Sequence, residues 1–418
     1  MATLFLLVIY AAFISLGLPD ALLGVAWPVM QVDYDVPVSL AGIISMTISV
    51  NTIISSVLSG RILKRFGTGR VTFVSVLATA IALLGFALSP GFLWLVVLAI
   101  PLGLGAGSVD AGLNDYVARN YEARHMSWLH SFWGVGAMTG PVIIGQFISQ
   151  GESWRNGYLT VSIIQFALVA LLFFTLPVWD KVARSKHSPI DAPASPAADH
   201  APVPPAGKRK TALGAARSIF RPLRIDGVRP VLLVFFFYCG VEATMGLWGS
   251  TYLVRVKGID VASAAGWVSL FFGSLTVGRF ISGFVTMRLT SKALIRIGEI
   301  SILSGVILLL LPLPDLFTMI SFMLIGIGCA PIFPSMLHET PAHFGDAEAQ
   351  NIMGFQMAFA YVGMSLLPPI FGAVASGTTF MLFPFVLLAY VALMLFNSER
   401  INRHMQRRQQ EAVSPAAA

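Results

Sequence analysis

Residues 107–120 read GSVDAGLNDYVARN and close an apolar run that begins near residue 92. The run is long enough to cross a lipid bilayer, which takes about 20 mostly apolar residues. It nevertheless carries Asp110, Asn114 and Asp115. An ionised acid in hydrocarbon costs about 3 kcal/mol even on lenient insertion scales, so an acid inside such a run is a candidate functional residue.

The composition of the whole chain is that of a membrane protein. Of its 418 residues, 56% are apolar and only 11% are charged, and the mean hydropathy is +0.78. Soluble domains carry about 25% charged residues, which excludes that class. Cys239 and Cys329 both lie in apolar runs, so we predict that they pack as small apolar residues and form no disulfide or metal site.

Twelve apolar runs are long enough to span a bilayer. They predict an all-α membrane protein with short connections between antiparallel helices. The predicted spans cover residues 4–30, 39–60, 70–89, 92–118, 128–149, 157–178, 229–254, 263–285, 293–311, 315–336, 350–374 and 378–397.

The basic residues predict the orientation of these spans. Of the 27 Lys and Arg, 23 fall on one side, in the loops after spans 2, 4, 6 and 8 and after span 12. The positive-inside rule then places both termini in the cytoplasm and the chain in the cytoplasmic (inner) membrane. The net charge of +7 is thereby explained by topology and contact with lipid, with no nucleic acid as partner.

The sequence divides into two related halves. We predict a six-helix bundle over residues 1–178, a disordered cytoplasmic linker rich in Pro and Ala over 179–228, and a second six-helix bundle with a basic tail over 229–418. LGLGAG at 102–107 corresponds to IGIGCA at 325–330, and SGRILKR at 59–65 corresponds to SGFVTMR at 282–288. Such a repeat is typical of transporters built as two bundles around a central path.

Several motifs carry a resemblance to a known family. GRILKRFGTGR at 60–70 is similar to the loop between helices 2 and 3 of the major facilitator superfamily, with Lys64 where an acid is usual. The fucose permease and sugar–proton symporter branch is resembled in six further stretches: GLPDALLGVAWP (17–28), DAGLN (110–114), LHSFWGVGAMTGP (129–141), GVEATMGLW (240–248), VGRFISG (277–283) and APIFPSML (330–337). The resemblance implies the major facilitator fold.

Two acids are the candidates for proton coupling. Asp110 and Asn114 share a helical face, and the alternative for Asp110 is a protonated acid that bridges two helices. Asp20 follows Pro19, which cannot donate a helix hydrogen bond and loosens helix 1. In the family branch that the chain resembles, acids on helices 1 and 4 serve proton coupling and sugar contact, and Asp20 and Asp110 match those positions.

The remaining candidates are polar or aromatic side chains inside the spans. Glu242 binds substrate hydroxyls or pairs with Arg279, and Arg279 itself either pairs in this way as a structural charge or snorkels to the cytoplasm. His130 lies near a span end, and Trp248 either stacks on a sugar or packs between helices. The predicted substrate-binding residues are Asn51, Asn114, His130, Glu242, Trp248 and Gln356, whose amide and carboxylate groups suit sugar hydroxyls.

We therefore predict a monomeric secondary active transporter. It moves a polar, sugar-like small molecule by proton symport and alternating access, with the proton and lipid as its other partners and with no cofactor or metal. The alternative is a proton-driven drug or metabolite efflux antiporter, since GAMTGPVIIG at 136–145 approaches the helix 5 motif of antiporters. An enzyme is rejected because the sequence has no metal-ligand cluster, phosphate-binding loop or nucleophile elbow.

The predicted orientation is open to a direct test. A reporter domain fused after residue 190 should lie in the cytoplasm, because ten of the basic residues fall between Lys181 and Arg229. Reporter activity on the periplasmic side of intact cells would contradict the orientation of all twelve spans.

Overall fold

The computed structural model describes residues 2–120, 123–185, 221–285 and 288–413. These residues are almost entirely helical, with no β-strand among them. Twelve of their segments are long and apolar enough to cross a membrane, which confirms the predicted all-α architecture of twelve spans. Most of the predicted linker, residues 186–220, lies outside the described part of the chain.

Each half of the chain contributes seven described α-helices, because one span in each half is divided in two. The N-terminal half contains α1 (Ala2–Gly17), α2 (Leu22–Asp33), α3 (Ala41–Phe66), α4 (Thr68–Leu88), α5 (Phe92–Asn120), α6 (Ala123–Ser149) and α7 (Trp154–Ser185). The C-terminal half contains α8 (Val228–Arg255), α9 (Val261–Val285), α10 (Ser291–Leu310), α11 (Asp315–Cys329), α12 (Ile332–Phe344), α13 (Asp346–Gly377) and α14 (Phe383–Val413).

The two divided spans each break at a proline. Between α1 and α2, the amides of Asp20 and Leu22 donate to the carbonyls of Gly17 and Pro19 at 3.2 Å, which are tight turn bonds rather than α-helical ones. The predicted loosening of helix 1 at Pro19 is therefore present. A second break, between α11 and α12, falls at Pro331. A proline has no amide hydrogen to give, so both breaks follow from the sequence.

Several helices continue beyond the predicted ends of their spans. The tenth span continues to Phe344 instead of residue 336, and the twelfth to Arg407 instead of 397. Likewise α7 continues to Ser185, past the predicted end of its span at 178. Hydropathy finds only the part of a helix that needs lipid, and a helix can go on into water once polar residues begin.

The sequence repeat corresponds to a repeated helix contact. A side chain at Gly103 or Gly107 would collide with the backbone of α3, so α5 lies directly on α3 there. In the second half, Gly326 lies in the same way against the backbone of α9, and Gly328 against that of α10. Glycines permit this approach because they leave the backbone uncovered. LGLGAG and IGIGCA are thus packing motifs of equivalent helices.

The two bundles meet along three pairs of helices: α6 with α9, α3 with α13, and α2 with α8. We call the end of the molecule where α7 finishes and α8 begins the linker end, and the opposite end the distal end. At the distal end, the Arg255 guanidinium donates to the Gln31 side-chain oxygen at 2.8 Å. Gly24 of α2 lies against the backbone of Gly246 and Leu247 in α8. The bundles are therefore closed on each other at the distal end.

Large apolar side chains cover the outside of the helices. Those that are more than two-thirds exposed include Val57, Leu93, Phe174 and Phe284. In water such a surface would be unstable, whereas in a bilayer it is matched by lipid tails.

The contact at Gly24 makes the distal closure sensitive to one methyl group. We expect Gly24→Ala to destabilise the closed distal end by about 1–3 kcal/mol, because the new Cβ overlaps the carbonyl of Gly246. Faster amide hydrogen exchange in α2 and in the distal part of α8 would report this opening. The control is Gly266→Ala, where a Cβ meets no atom within 4 Å. Equal exchange in the two variants would contradict the role of Gly24.

Candidate functional site

The candidate site lies between the two bundles, where the break between α1 and α2 exposes Asp20. Asp20 sits in the middle of a span, yet its side chain is exposed. The Trp133 indole N–H of α6 donates to the Asp20 carboxylate at 2.7 Å. A broken helix at such a point leaves polar groups facing a cavity rather than lipid.

A chain of polar contacts crosses from Asp20 to the C-terminal bundle. The Arg279 guanidinium of α9 lies over the Trp133 ring, 5.2 Å from its centroid. Arg279 also lies 3.7 Å from the Glu242 carboxylate of α8, and the two side chains are only 15% and 14% exposed. The Tyr238 hydroxyl donates to Glu242 at 2.6 Å. Of the two alternatives for Arg279, the ion pair with Glu242 is the one observed.

Asp110 forms a second link between the bundles. The Asn114 side-chain amide donates to one carboxylate oxygen of Asp110 at 2.9 Å, as expected for residues on one helical face. The hydroxyl of Tyr361, which lies on α13 in the other bundle, donates to the second oxygen at 3.2 Å. The bond to Tyr361 puts Asp110 at the bundle interface, not against lipid.

The acids differ in the partners that the described residues give them. Glu242 has a cation beside it, whereas the partners of Asp20 and Asp110 are neutral N–H and O–H donors. A neighbouring cation favours the ionised form of a carboxyl group much more than a neutral donor does. The two aspartates are therefore the acids of this site whose described partners carry no charge.

Asn51 and His130 lie close to the helices that carry the acids, but in helix contacts. The Asn51 amide donates to the carbonyl of Thr47 in its own helix at 2.8 Å, and its Cβ lies where α5 approaches at Gly103. His130 is half-buried, with its ring edge-on to Phe13 at 5.8 Å between centroids. The structure shows no direct contact of either residue with the two aspartates.

Trp248 and Gln356 have no described contact with the two aspartates or with the Glu242–Arg279 pair, so their predicted contact with substrate stays a prediction. Both side chains are fully buried. The Trp248 indole donates to the carbonyl of Pro368 at 2.7 Å, while the Gln356 amide and the Thr340 hydroxyl bond each other at 3.0–3.1 Å. Their hydrogen-bonding groups are used within the C-terminal bundle, so the observed positions support packing roles.

The sequence analysis did not identify three aromatic residues of the site. Tyr238 lies four residues before Glu242 and so on the same helical face, which was a usable signal. Trp133 lies three residues after the predicted site residue His130 and so on the same helical face, which was a second usable signal. Nothing in the sequence joined Tyr361 to Asp110, which lies 251 residues away.

Comparison with known proteins identifies the family of this fold. The family model described as Major Facilitator Superfamily matches residues 9–368. Among solved structures, the chain is similar to a D-xylose-proton symporter, with a TM-score of 0.67 at 13% identity over 95% of this chain and 96% of that one. At this identity the likeness shows the fold alone.

Two curated relatives are sugar-type transporters. A hexuronate transporter of Bacillus subtilis (strain 168) is 26% identical over 69% of this chain and 66% of its own length. A glucose/mannose transporter of the same organism is 25% identical over 66% of this chain and 64% of its own. The chain thus matches just under two-thirds of the length of these relatives.

The match of the family model covers most of the chain. The twelve spans explain the composition, and the repeat explains the two bundles. The protein is a multi-pass membrane protein, and it belongs to the Major Facilitator Superfamily.

Proposed function

We propose that this transporter imports an uncharged, sugar-like molecule by proton symport across the cytoplasmic membrane. The observation that carries the proposal is the pair of aspartates at the bundle interface. Asp20 and Asp110 are bound only by neutral donors among the described residues. An acid in this setting can exist with its proton or without it, which is what coupling requires.

Two contacts near the aspartates cross between the bundles. The bond from Tyr361 to Asp110 joins α13 to α5, and the Trp133 indole that binds Asp20 also carries Arg279 of α9. Alternating access moves one bundle against the other around a fixed site. Proton binding at Asp110 therefore changes a contact between the bundles directly and proton binding at Asp20 changes one through Trp133, and this is how a proton can bias the conformation.

The predicted orientation gives the direction of transport. If the linker is cytoplasmic, the closed distal end faces the periplasm, and the site in this conformation would communicate with the cytoplasm. A symporter in this state would have released its substrate and proton inward. The proton gradient, directed into the cell, then favours import.

The charges of the site favour a neutral substrate over an acidic one. Asp20, Asp110 and Glu242 are three acids, and the one described cation among them, Arg279, is already paired. A substrate carboxylate would meet acids and a guanidinium that is engaged elsewhere. A sugar hydroxyl can instead donate to the carboxylates. Of the two relatives, the glucose/mannose transporter is therefore the better guide to substrate class than the hexuronate transporter.

Efflux by antiport is the alternative, and the GAMTGPVIIG segment was its support. In the structure, Gly136 and Gly140 of this segment lie against the backbone of helix 1 at Ile14 and Leu18. Close packing of α6 on α1 accounts for these glycines without an antiport mechanism. We accordingly keep import as the proposal.

Asp110→Asn tests the proton coupling. The amide mimics the protonated acid but cannot release a proton, so we expect at least a tenfold loss of uptake driven by a pH gradient. Exchange of internal for external substrate, which needs no net proton movement, should persist. The measurement uses proteoliposomes with labelled D-glucose, with D-mannose and D-glucuronate as competitors. Asp20→Asn should behave alike if the two acids titrate as a coupled pair.

Asp226→Asn is the matched control, because Asp226 is an exposed acid outside the spans. It should transport like the parent protein. Accumulation of substrate by Asp110→Asn at the parental rate would rule Asp110 out as the coupling acid. Stronger competition by D-glucuronate than by D-mannose would contradict the neutral substrate class.

The phenol of Tyr361 offers a separate test of the link between the bundles. Tyr361→Phe removes the donor to Asp110 but keeps the ring. We expect the rate of substrate exchange to change several-fold while insertion and thermal stability in detergent stay close to those of the parent, because a single hydrogen bond contributes about 1 kcal/mol. An unchanged exchange rate would show that this bond does not take part in the cycle.

A further inference from the structure

Trp133 occupies the space between an acid and a cation of opposite bundles. Its indole N–H donates to the Asp20 carboxylate at 2.7 Å. The face of the same indole carries the Arg279 guanidinium, 5.2 Å from the ring centroid. No ion pair joins Asp20 to Arg279 directly among the described residues, although each touches the same side chain.

The backbone on both sides fixes the position of Trp133. Gly17 of α1 lies so close to the Trp133 carbonyl that a Cβ there would overlap it. On the other side, Gly134 of α6 lies against the Thr276 side chain of α9 in the same manner. Trp133 is thus held at a three-helix contact of α1, α6 and α9. Its contact on one side, Gly17, comes three residues before Asp20, and the contact of its neighbour Gly134 on the other side, Thr276, comes three residues before Arg279.

Trp133 differs from Trp27, Trp154 and Trp248 in its exposure and in the helices that it joins. Those three are fully buried, whereas Trp133 is half-buried beside the exposed Asp20. Trp154 contacts a carboxylate and a guanidinium of its own bundle, whereas the guanidinium on the Trp133 ring comes from the other bundle. Trp is also the ring that binds a cation best.

A guanidinium in direct contact would disable a proton-coupling acid. Arg offers two parallel N–H donors and a full charge to a carboxylate, which strongly favours the ionised form. A neutral indole donor favours it much less. The identity of the side chain that contacts both Asp20 and Arg279 therefore affects how readily Asp20 takes up a proton.

We propose that Trp133 is a positioning residue that insulates Asp20 from Arg279. It gives the acid a neutral hydrogen-bond donor and gives the cation a π face, so that Arg279 stays paired with Glu242. This deepens the proposed function and rests on it, since insulation matters only if Asp20 exchanges a proton.

Other charged groups face Asp20 and stay in place when Trp133 is changed. Asp110 of α5 and Glu242 of α8 act on Asp20 electrostatically. His130, one turn before Trp133 on α6, acts on Arg279. Because both neighbouring acids repel a charge on Asp20, Arg279 is the group among these that could hold Asp20 ionised.

Two substitutions at Trp133 should move the titration of Asp20 in opposite directions. Trp133→Phe keeps a π face for Arg279 and removes the N–H, so the protonated acid loses nothing and its titration midpoint rises. Trp133→Ala opens the path for Arg279 to reach the carboxylate, which more than replaces the lost donor, so the midpoint falls. We expect each shift to be about one pH unit or more.

The measurement is infrared difference spectroscopy of the purified full-length protein as a function of pH. The carboxylic acid band of Asp20 is assigned by its loss in Asp20→Asn. This readout needs no substrate, so it is separate from transport. In an Arg279→Gln background, Trp133→Ala should no longer lower the midpoint, since the cation is gone.

Trp154 provides a matched control. Its indole N–H donates to Asp33 at 2.6 Å and its ring carries the Arg155 guanidinium at 4.6 Å, the same chemistry at the distal end. Trp154→Phe should leave the Asp20 midpoint where it is in the parent protein.

The outcomes separate the two proposals. Shifts of the same sign in Trp133→Phe and Trp133→Ala, or no shift, overturn the insulating role. Trp133→Val, which removes the ring and its N–H but keeps an apolar side chain in the span, replaces Trp133→Ala if that variant does not insert, with the same expected sign. Opposite shifts together with uptake that ignores the pH gradient would uphold the insulating role and overturn proton symport.

Discussion

The structure depends on the cost of holding ionised groups away from water inside a membrane. Each charged side chain of the central site has a described interaction partner that lowers this cost. Glu242 and Arg279 neutralise each other, while Asp110 and Asp20 receive neutral hydrogen-bond donors at the interface between the bundles. Large apolar side chains cover the outside of the helices.

Under this constraint, the two halves of the repeat contribute different kinds of side chain to the site. The two aspartates that we propose as coupling acids, Asp20 and Asp110, belong to the N-terminal bundle, whereas the C-terminal bundle supplies the ion pair of Glu242 and Arg279. Among the described residues, only Glu242 of these three acids has a cation beside it. Two bundles of one architecture thus present different chemistry at their interface, which the proposed coupling needs if one group is to change its charge while its neighbours keep theirs.

The close contacts between helices serve this chemistry as well as stability. Glycines bring α5 onto α3, α6 onto α1, and α2 onto α8 at backbone distance. Small residues allow such approach, and in lipid the packing itself is the main attraction between helices. The same contacts fix where Asp110, Trp133 and Asp20 face. The geometry of the site therefore depends largely on glycines, which have no side chain to keep the helices apart.

The sequence by itself determined the elements that have a one-dimensional signal. Hydropathy located the twelve spans, Pro19 located the break in helix 1, and the charge cost of an intramembrane acid singled out Asp20 and Asp110. Only the tertiary structure determined which residues contact each other. Arg279 pairs with Glu242, and the Tyr361 hydroxyl binds Asp110. The side chains of Trp248 and Gln356 are buried between packed helices. Periodicity gives the face of a helix that a residue occupies, but which neighbour that face meets is set by how helices far apart in the chain pack together.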